Sequence, residues 1–365
     1  MRVLFHISAR RWSGSARAFA LAAHGLSARR WETTVAAPAG SEVEARLSSD
    51  GLEVVPIDPA AGWLRRVFRL RRVLREHFIE VVFVHTPEEH LVAAAATRLA
   101  ERGGVVRRVP AGAALDLPRA ARRGMRLAAS GYLFTTEQSR ATAPAPPKRA
   151  FDHLLAELGV DPTIHDAVEP AGRASLGAPS GTRLVVGITG ADARVRAPHA
   201  LRTIALLAGR HPDIRLALLG HGSDDPHLRM HAAALGITHI VAFLGERDDR
   251  TAVLKAADLG WVVAGGDDAA FGYLDLMAAR VPVLAARDAL AQHYVADGIA
   301  GLLLPPDDVA GSAAVIAAIL GHEEQRQAIG AAGRQRVARE FPFEAMIDGF
   351  EGAAQAARDR SLWLR

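Results

Sequence analysis

Short apolar runs alternate with longer amphipathic stretches through the first 150 residues. The runs are four or five residues long, are rich in Val, Ile, Leu and Phe, and predict β-strands. Between them, apolar positions recur at the spacing of helices that cover a sheet. Strands that alternate with helices are typical of a parallel sheet with helices on both faces. The predicted strands are 3–7, 34–37, 54–57, 81–85, 105–109 and 132–135, and the predicted helices are 16–28, 43–49, 64–77, 88–101 and 118–128.

Proline and glycine interrupt this alternation in the middle of the chain. Residues 141–148 read Ala-Thr-Ala-Pro-Ala-Pro-Pro-Lys, a short helix is predicted over 151–158, and further prolines and glycines follow up to 181. Because these residues break regular structure, the segment predicts a domain boundary. The alternation then resumes, with predicted strands at 184–188, 216–219, 240–244, 259–263, 283–285 and 302–304 and predicted helices at 198–208, 226–235, 251–256, 271–278, 309–319 and 323–340.

The pattern predicts an α/β protein made of two Rossmann-like, doubly wound domains that face each other across a cleft. A chain of 365 residues is long enough for two such domains. We expect the first to cover 1–165 and the second 166–342. In doubly wound sheets ligands collect at the carboxyl ends of the strands, so we expect the site there.

Composition excludes several kinds of chemistry. The chain has no cysteine, which rules out disulfides, thiolate zinc sites and cysteine nucleophiles. The apolar run at the start is too short for a signal peptide, and no apolar stretch is long enough to span a bilayer. We therefore expect a cytoplasmic protein.

Charge is unevenly distributed. Residues 1–150 hold 24 Lys and Arg against 13 Asp and Glu, which favours an anionic partner. In the predicted helix near 63–78, one face would carry apolar side chains and the opposite face arginines. The apolar set is Trp63, Val67, Leu70, Leu74 and Phe78, and the basic set is Arg65, Arg69, Arg72 and Arg75. A second basic group comprises Arg119, Arg122, Arg123 and Arg126.

These basic faces suggest peripheral contact with an anionic membrane at its inner surface. The alternative is an ordinary sheet-packing helix with an arginine-rich solvent face. Nucleic acid is not expected as a partner, because aromatic residues do not interleave with the arginines.

The segment Gly265-Gly266-Asp267-Asp268 carries the strongest chemical signal. It follows a predicted strand, and Asp275 lies eight positions after Asp267, on the predicted helix that begins at 271. Backbone amides at a helix start bind anions, and flanking carboxylates can hold sugar hydroxyls. The alternative is a helix cap followed by a solvated helix acid.

The ordered series of motifs resembles the GT-B fold glycosyltransferases, and most of all the retaining family-4 group. The similarity covers nearly the whole chain, from a glycine-containing loop and first helix to the segments that follow the acidic motif. The matching segments are 13–22, 33–38, 81–85, 218–222, 242–245, 277–283 and 297–305.

The resemblance implies a nucleotide-diphosphate sugar as donor substrate, no cofactor and no metal. Asp267 would contact the transferred sugar and Asp275 the nucleotide ribose, with His85 as the second catalytic candidate. The implied donor-binding residues are Gly220, Gly222, Arg194, Arg196, Gly272, Tyr273, Leu274 and Asp275, and the implied acceptor-side loop holds Ser13, Gly14 and Ser15. The resemblance also implies that the last helix, about 343–365, packs back on the first domain through Met346, Phe350 and Ala354.

Three departures from the family pattern bear on activity. The acids of the motif are aspartates where the family has glutamates, and Ile188 or Thr189 stands where the family has an arginine, so Arg194 or Arg196 would replace it. The histidine expected after the fifth strand is replaced in a segment that contains Pro110.

Two functions therefore remain open. The first is a retaining glycosyltransferase that acts on a glycan or lipid-linked acceptor of the cell envelope. The second is a catalytically inactive GT-B-fold protein that binds a nucleotide, a sugar or a protein partner. A sugar-nucleotide epimerase is a weaker third class, because no separate set of acid and base residues for it is found in the sequence.

Overall fold

We describe the fold from a computed structural model, in residues 1–58, 60–115, 122, 127–146 and 150–363. The chain forms two compact units. The first comprises Met1–Leu158 together with Glu344–Arg365, and the second comprises Gly159–Phe343. The predicted boundary at 165 lies later than this division, because Pro162–His165 already forms a 3₁₀ turn of the second unit.

The first unit contains a parallel sheet in the order β3-β2-β1-β4-β5-β6-β7 across its described residues. Its order reverses between β1 and β4, as in a doubly wound sheet. The strands are β1 (Arg2–His6), β2 (Glu32–Pro38), β3 (Glu53–Ile57), β4 (Val81–Val84), β5 (Gly104–Val109), β6 (Ser130–Phe134) and β7 (Leu154–Leu155). The helices are α1 (Gly14–Ala28), α2 (Glu42–Ser49), α3 (Trp63–Glu76), α4 (Pro87–Ala100) and α5 (Glu137–Ala141).

The second unit contains a parallel sheet in the order β10-β9-β8-β11-β12-β13. Its order reverses between β8 and β11. The strands are β8 (Arg183–Thr189), β9 (Ile214–Gly220), β10 (Val241–Gly245), β11 (Leu259–Val262), β12 (Val283–Ala286) and β13 (Gly301–Leu304). The helices are α6 (Ala193–Ala208), α7 (Pro226–Ala234), α8 (Arg250–Lys255), α9 (Gly266–Ala278), α10 (Ala289–Tyr294), α11 (Val309–Leu320) and α12 (Glu323–Glu340), and the chain ends with α13 (Phe343–Trp363).

Helix α13 completes the core of the first unit. The ring of Phe350 is fully buried and lies 5.4 Å from that of Phe83 and 6.2 Å from that of Phe5. Arg29, which follows α1, pairs with Glu344, Asp348 and Glu351 of α13 at 2.6–2.7 Å. The last helix therefore contributes both apolar packing and ion pairs to a unit whose remaining elements lie far earlier in the sequence.

Two predictions for the first unit need correction or fall outside the described residues. The predicted helix over 151–158 is wrong, because Leu154 and Leu155 pair with Leu133 and Phe134 as an edge strand. Backbone pairing at the free edge of the sheet outweighs the weak helical pattern there. The predicted helix over 118–128 lies mostly outside the described residues, as do Arg119, Arg123 and Arg126.

The apolar face predicted for α3 is only partly buried. Val67, Leu70 and Leu74 pack in the core, whereas Trp63 and Phe78 are exposed. Phe78 follows the end of α3 in the left-handed region, at φ 53°, so it leaves the helical face. None of the helices in the described part of the chain combines the length and apolar character that a membrane span requires.

Candidate functional site

Helix α9 begins earlier than the sequence predicts. It starts at Gly266, after the N-cap residue Gly265, so Asp267 is a buried residue of its first turn and not of a loop. Gly272, Tyr273 and Leu274 lie in the helix interior, where amides donate to carbonyls four residues earlier. The predicted helix start at 271 is therefore wrong, and these three implied donor-binding residues do not lie at the start of the helix. The amides that an α-helix leaves for outside partners belong to its first residues.

Gly272 and Tyr273 serve the packing of α9 on the sheet. A Cβ atom at Gly272 would lie 3.2 Å from Val262 of β11 and 3.4 Å from Ile188 of β8. Tyr273 is buried, and desolvation of its phenol raises its pKa above the ordinary value, with a smaller contribution from Asp288. The missing side chain at Gly272 therefore lets α9 lie close to the strands.

The start of α9 meets the loop that follows β8, at the point where the strand order reverses. Asp192 in that loop accepts a hydrogen bond from the amide of Gly265, with N···Oδ1 at 3.2 Å. The other oxygen of Asp192 pairs with Arg196. A Cβ atom at Gly265 would lie 2.7 Å from this second oxygen, so a side chain at the N-cap would displace the Asp192 carboxylate.

The same helix start is rich in carboxylates. Asp267 and Asp268 lie in its first turn, and Asp268 lies beside Gly190, whose Cβ position is 2.9 Å from Asp268 Oδ2. Arg196 is the cation held there by Asp192, whereas Arg194 points to Asp225, with Nη2···Oδ2 at 3.0 Å. Asp192 thus occupies an amide and a guanidinium, which are the two kinds of group that bind a phosphate.

Gly220 ends β9, and Gly222 lies in the turn that follows. Their φ angles are 106° and 73°, in a region that favours glycine. A Cβ atom at Gly222 would also lie 3.1 Å from the Cβ of Ala193. The positive φ angles and the close contacts at these two positions therefore explain both glycines.

A partly buried ion pair joins α8 to α9 beside this turn. Asp275 is almost fully buried, and Arg250 Nε of α8 lies 3.2 Å from its Oδ2. Arg250 Nη1 is 3.7 Å from the Cβ position of Gly220. Asp275 is therefore not the solvated helix acid of the alternative interpretation. Sequence analysis missed Arg250, and only the order of β8, β9 and β11 brings it to Asp275.

In the first unit, His85 lies at the end of β4 against the start of α1. Its ring stacks on Phe19 with centroids 3.6 Å apart, and its Nε2 lies 2.9 Å from the carbonyl oxygen of Ser15. Ser13 is the N-cap of α1 and accepts from the amide of Ala16, so Gly14 and Ser15 are the first helical residues. The structure therefore brings His85 together with the predicted acceptor-side residues.

Glu89 is a buried carboxylate beside this group that sequence analysis missed. It accepts hydrogen bonds from the amides of Ser8 and His85 at 2.8 Å and of Thr86 at 2.9 Å. Burial alone would raise its pKa, but the neighbouring His6 and His85 and these donors hold the pKa below its ordinary value. The signal in the sequence was the capping box Thr86-Pro87-Glu88-Glu89.

The chain is similar in sequence to glycosyltransferases. Residues 169–336 match the family model of the glycosyl transferases group 1. The chain is 31% identical over 188 residues to a D-inositol 3-phosphate glycosyltransferase of Corynebacterium urealyticum, a match that covers 49% of this chain and 44% of that protein. It is 33% identical over 142 residues to a phosphatidyl-myo-inositol mannosyltransferase of Mycolicibacterium smegmatis, covering 38% and 36%. These matches span less than half the length of either relative.

The fold has close relatives among solved structures. Anabaena HepE in complex with UDP-glucose superposes with a TM-score of 0.79, over 98% of this chain and 100% of that one, at 18% sequence identity. The chain therefore has the GT-B fold, and the predicted α/β class is confirmed. In sequence, its second unit is similar to glycosyltransferases, through the group 1 match over residues 169–336 and the partial matches to these two relatives.

Proposed function

We propose that the chain transfers a sugar, with retained configuration, from a nucleoside-diphosphate sugar to a hydroxyl acceptor. The observation that carries the proposal is the convergence, at the carboxyl ends of β8, β9 and β11, of the start of α9, the Gly220 turn and the Asp275–Arg250 pair. Ligands of doubly wound sheets bind at this edge. HepE shares the fold and was crystallised with UDP-glucose, which supports this class of donor.

The length of α9 sets the orientation of the donor in this proposal. Asp267 and Asp275 are eight residues apart on one helix, which corresponds to about 12 Å along its axis. That separation suits a donor whose nucleoside lies at Gly220 and Asp275 and whose sugar lies near Asp267. The diphosphate then lies near the start of α9, within reach of Arg196.

The chemistry follows from this placement. Charge develops on the leaving diphosphate as the glycosidic bond breaks, and a fixed guanidinium and helix amides stabilise it. Because Asp192 holds Arg196 and the Gly265 amide, the diphosphate must exchange with the Asp192 carboxylate. Asp267 acts at the sugar as a hydrogen-bond acceptor.

The donor site is tested by calorimetric titration with UDP, GDP and their sugar conjugates. We expect Arg196→Ala to weaken binding by about 10- to 100-fold, the value of a hydrogen bond to a charged group. We expect Asp192→Asn to strengthen binding by about tenfold, because a competing charge is removed at close range. Arg194→Ala is the matched control, since Arg194 is directed to Asp225. Equal losses for Arg194→Ala and Arg196→Ala, or weaker binding by Asp192→Asn, would contradict this geometry.

Turnover decides between the enzyme and a binding protein. Asp267→Asn should keep nucleotide affinity and lose donor hydrolysis and transfer. If the unaltered chain binds a donor but neither hydrolyses nor transfers it, the protein binds nucleotide-sugars without catalysis.

We propose in addition that the acceptor is lipid-linked and that α3 contacts an anionic bilayer. Leu64, Arg65, Phe68, Arg72 and Arg75 are all exposed and fall within about 100° of the helical wheel. An exposed face that mixes apolar and basic side chains suits a lipid interface.

Arg65→Glu combined with Arg75→Glu should lower binding to phosphatidylglycerol vesicles by about 30-fold. The same charge change at the exposed Arg202 and Arg210 of the second unit should not, and equal losses would refute α3 as the contact.

A further inference from the structure

The first sheet reverses its strand order between β1 and β4, and two loops follow these neighbouring strands. The β1 loop comprises residues 7–13 and leads into α1, and the β4 loop comprises residues 85–86 and leads into α4. Ligands of doubly wound sheets bind in the crevice at such a reversal. The backbone of these two loops is therefore a candidate ligand surface of the first unit.

Glu89 of α4 holds the backbone of both loops with one carboxylate. Its Oε1 accepts a hydrogen bond from the amide of Ser8 in the β1 loop at 2.8 Å. Its Oε2 accepts from the amides of His85 and Thr86 in the β4 loop at 2.8 and 2.9 Å. Glu89 is only 4% exposed, so water competes little for these three bonds.

Capping of α4 does not explain this arrangement by itself. A capping box needs only the contact between Glu89 and the Thr86 amide, whereas the contact with Ser8 joins residues 81 positions apart. Glu88 in the same turn is exposed and pairs with Arg66 of α3. Burial of a carboxylate is costly unless it is hydrogen-bonded, and the amides of the two loops supply those bonds. The burial of Glu89 therefore serves the loops.

The two loops carry the predicted acceptor-side group. The β1 loop ends at Ser13, the N-cap of α1, and the guanidinium carbon of Arg46 lies 4.4 Å from the centre of the Trp12 ring in this loop. The β4 loop presents His85, whose Nε2 lies 2.9 Å from the carbonyl oxygen of Ser15. A shift of either loop would therefore move the start of α1 relative to the His85 ring.

We propose that Glu89 is a positioning residue for the acceptor, which fixes the β1 and β4 loops so that the start of α1 and His85 present an ordered surface to an acceptor hydroxyl. This inference rests on the proposed sugar transfer. It assigns to Glu89 a role in the use of the acceptor and none in the binding of the nucleotide, which is proposed for the second unit.

Glu89→Gln tests this role. Glutamine can still cap α4 through its carbonyl oxygen, but its NH₂ group only donates, so it cannot accept from the amides of both loops. We expect kcat/KM for the acceptor to fall by about 10- to 100-fold, because a misplacement of about 1 Å has an effect of that order. Nucleotide affinity and donor hydrolysis by water should not change. Transfer is measured to glycerol, to octyl β-glucoside and to phosphatidylglycerol vesicles, and nucleotide affinity by calorimetric titration.

Hydrogen exchange reports on the loops directly. In Glu89→Gln the amides of the β1 and β4 loops should exchange at least about tenfold faster, because a local opening becomes easier. Glu88→Gln is the matched control, since Glu88 lies in the same turn and pairs with Arg66 outside the two loops. It should change neither the exchange of the loops nor the kinetics of the acceptor.

Ser8→Pro tests the same contact from its other side. Proline has no backbone N–H, so this variant removes the hydrogen bond between the β1 loop and Glu89 and leaves the cap of α4 in place. It should lower kcat/KM for the acceptor in the same way. It also provides the measurement if Glu89→Gln fails to fold.

The outcomes separate the inference from the proposed function. Faster exchange in the loops with unchanged acceptor kinetics refutes the inference and leaves the proposed transfer intact, and so does an equal fall of transfer and hydrolysis. Unchanged exchange of the loops in Glu89→Gln also refutes the inference. An unaltered chain that hydrolyses its donor but transfers the sugar to none of the three acceptors refutes the role of Glu89 and leaves the donor site intact. A chain that binds no nucleoside diphosphate refutes the proposed function itself.

Discussion

Phe350→Ala should lower the free energy of unfolding of the first unit by about 3–5 kcal/mol, the usual cost of removing a buried phenyl ring. Phe350 is fully buried and lies among Phe5, Phe19 and Phe83, with ring centroids 5.4–6.3 Å away. Its removal leaves a cavity at the contact between α13 and the sheet. Because α13 comes last in the chain, this contact also closes the longest loop of the unit.

This loss of unfolding free energy is measured by chemical denaturation. Hydrogen exchange at the amides of β1 reports on the first unit. Phe350→Leu should cost less, because it keeps much of the volume. Gln355→Ala, on the exposed side of the same helix, should change stability by less than about 0.5 kcal/mol. A loss below about 1 kcal/mol for Phe350→Ala would show that α13 is not part of the cooperative core.

Acidification should destabilise the first unit through His90. This side chain is fully buried, with Nε2 3.1 Å from Ser130 Oγ. Burial lowers its pKa to about 3, and Arg107 contributes in the same direction. The unfolded chain binds a proton at His90 below about pH 6.5 and the folded chain does not, so stability falls as the pH drops from 6.5 towards 3.

The size of this loss of stability follows from the difference between the pKa of His90 in the unfolded chain and its pKa in the folded chain. At about 1.4 kcal/mol per pH unit, the loss from His90 is about 2 kcal/mol at pH 5 and about 3 kcal/mol at pH 4. The pKa values of Glu89 and His6 are also lowered, so acidification reduces the free energy of unfolding through these two residues as well. The contribution of His90 is therefore the difference in unfolding free energy between the unaltered chain and a variant that lacks His90.

His90→Gln should keep a hydrogen bond to Ser130 and flatten the dependence of unfolding free energy on pH between 6.5 and 4. His24→Gln, at an exposed position of α1, is the matched control. The two variants should be compared by urea denaturation at several pH values. Parallel pH profiles for the chain and His90→Gln would show that His90 does not control acid stability.

Helix α12 was predicted with both of its bounds, Glu323 and Glu340, because charged residues mark each end. Helix α9 was predicted to start too late, since Gly265 and Gly266 look like a loop. The acids that follow these glycines favour the positive end of the helix dipole, so the helix starts at Gly266, whose φ of 59° marks the turn that leads into it.

The candidate site was predicted less completely, because a sequence does not show which charges meet. Asp267, Asp275 and Arg196 were singled out by spacing and by resemblance. Asp192 was not, although it binds both Arg196 and the amide of Gly265. The pairing of Arg194 with Asp225 likewise separates two arginines that look equivalent in the sequence.

By itself the sequence determined the alternation of strands and helices and the doubly wound class of both sheets, because the period of apolar positions records which face of each element is buried. The tertiary structure alone decided the partners of the charged groups. Asp275 meets Arg250 across 25 residues, and Gly265 meets Asp192 across 73. Such pairs form because strand order places helices and loops that are distant in sequence side by side, and strand order is set by the packing of the whole unit.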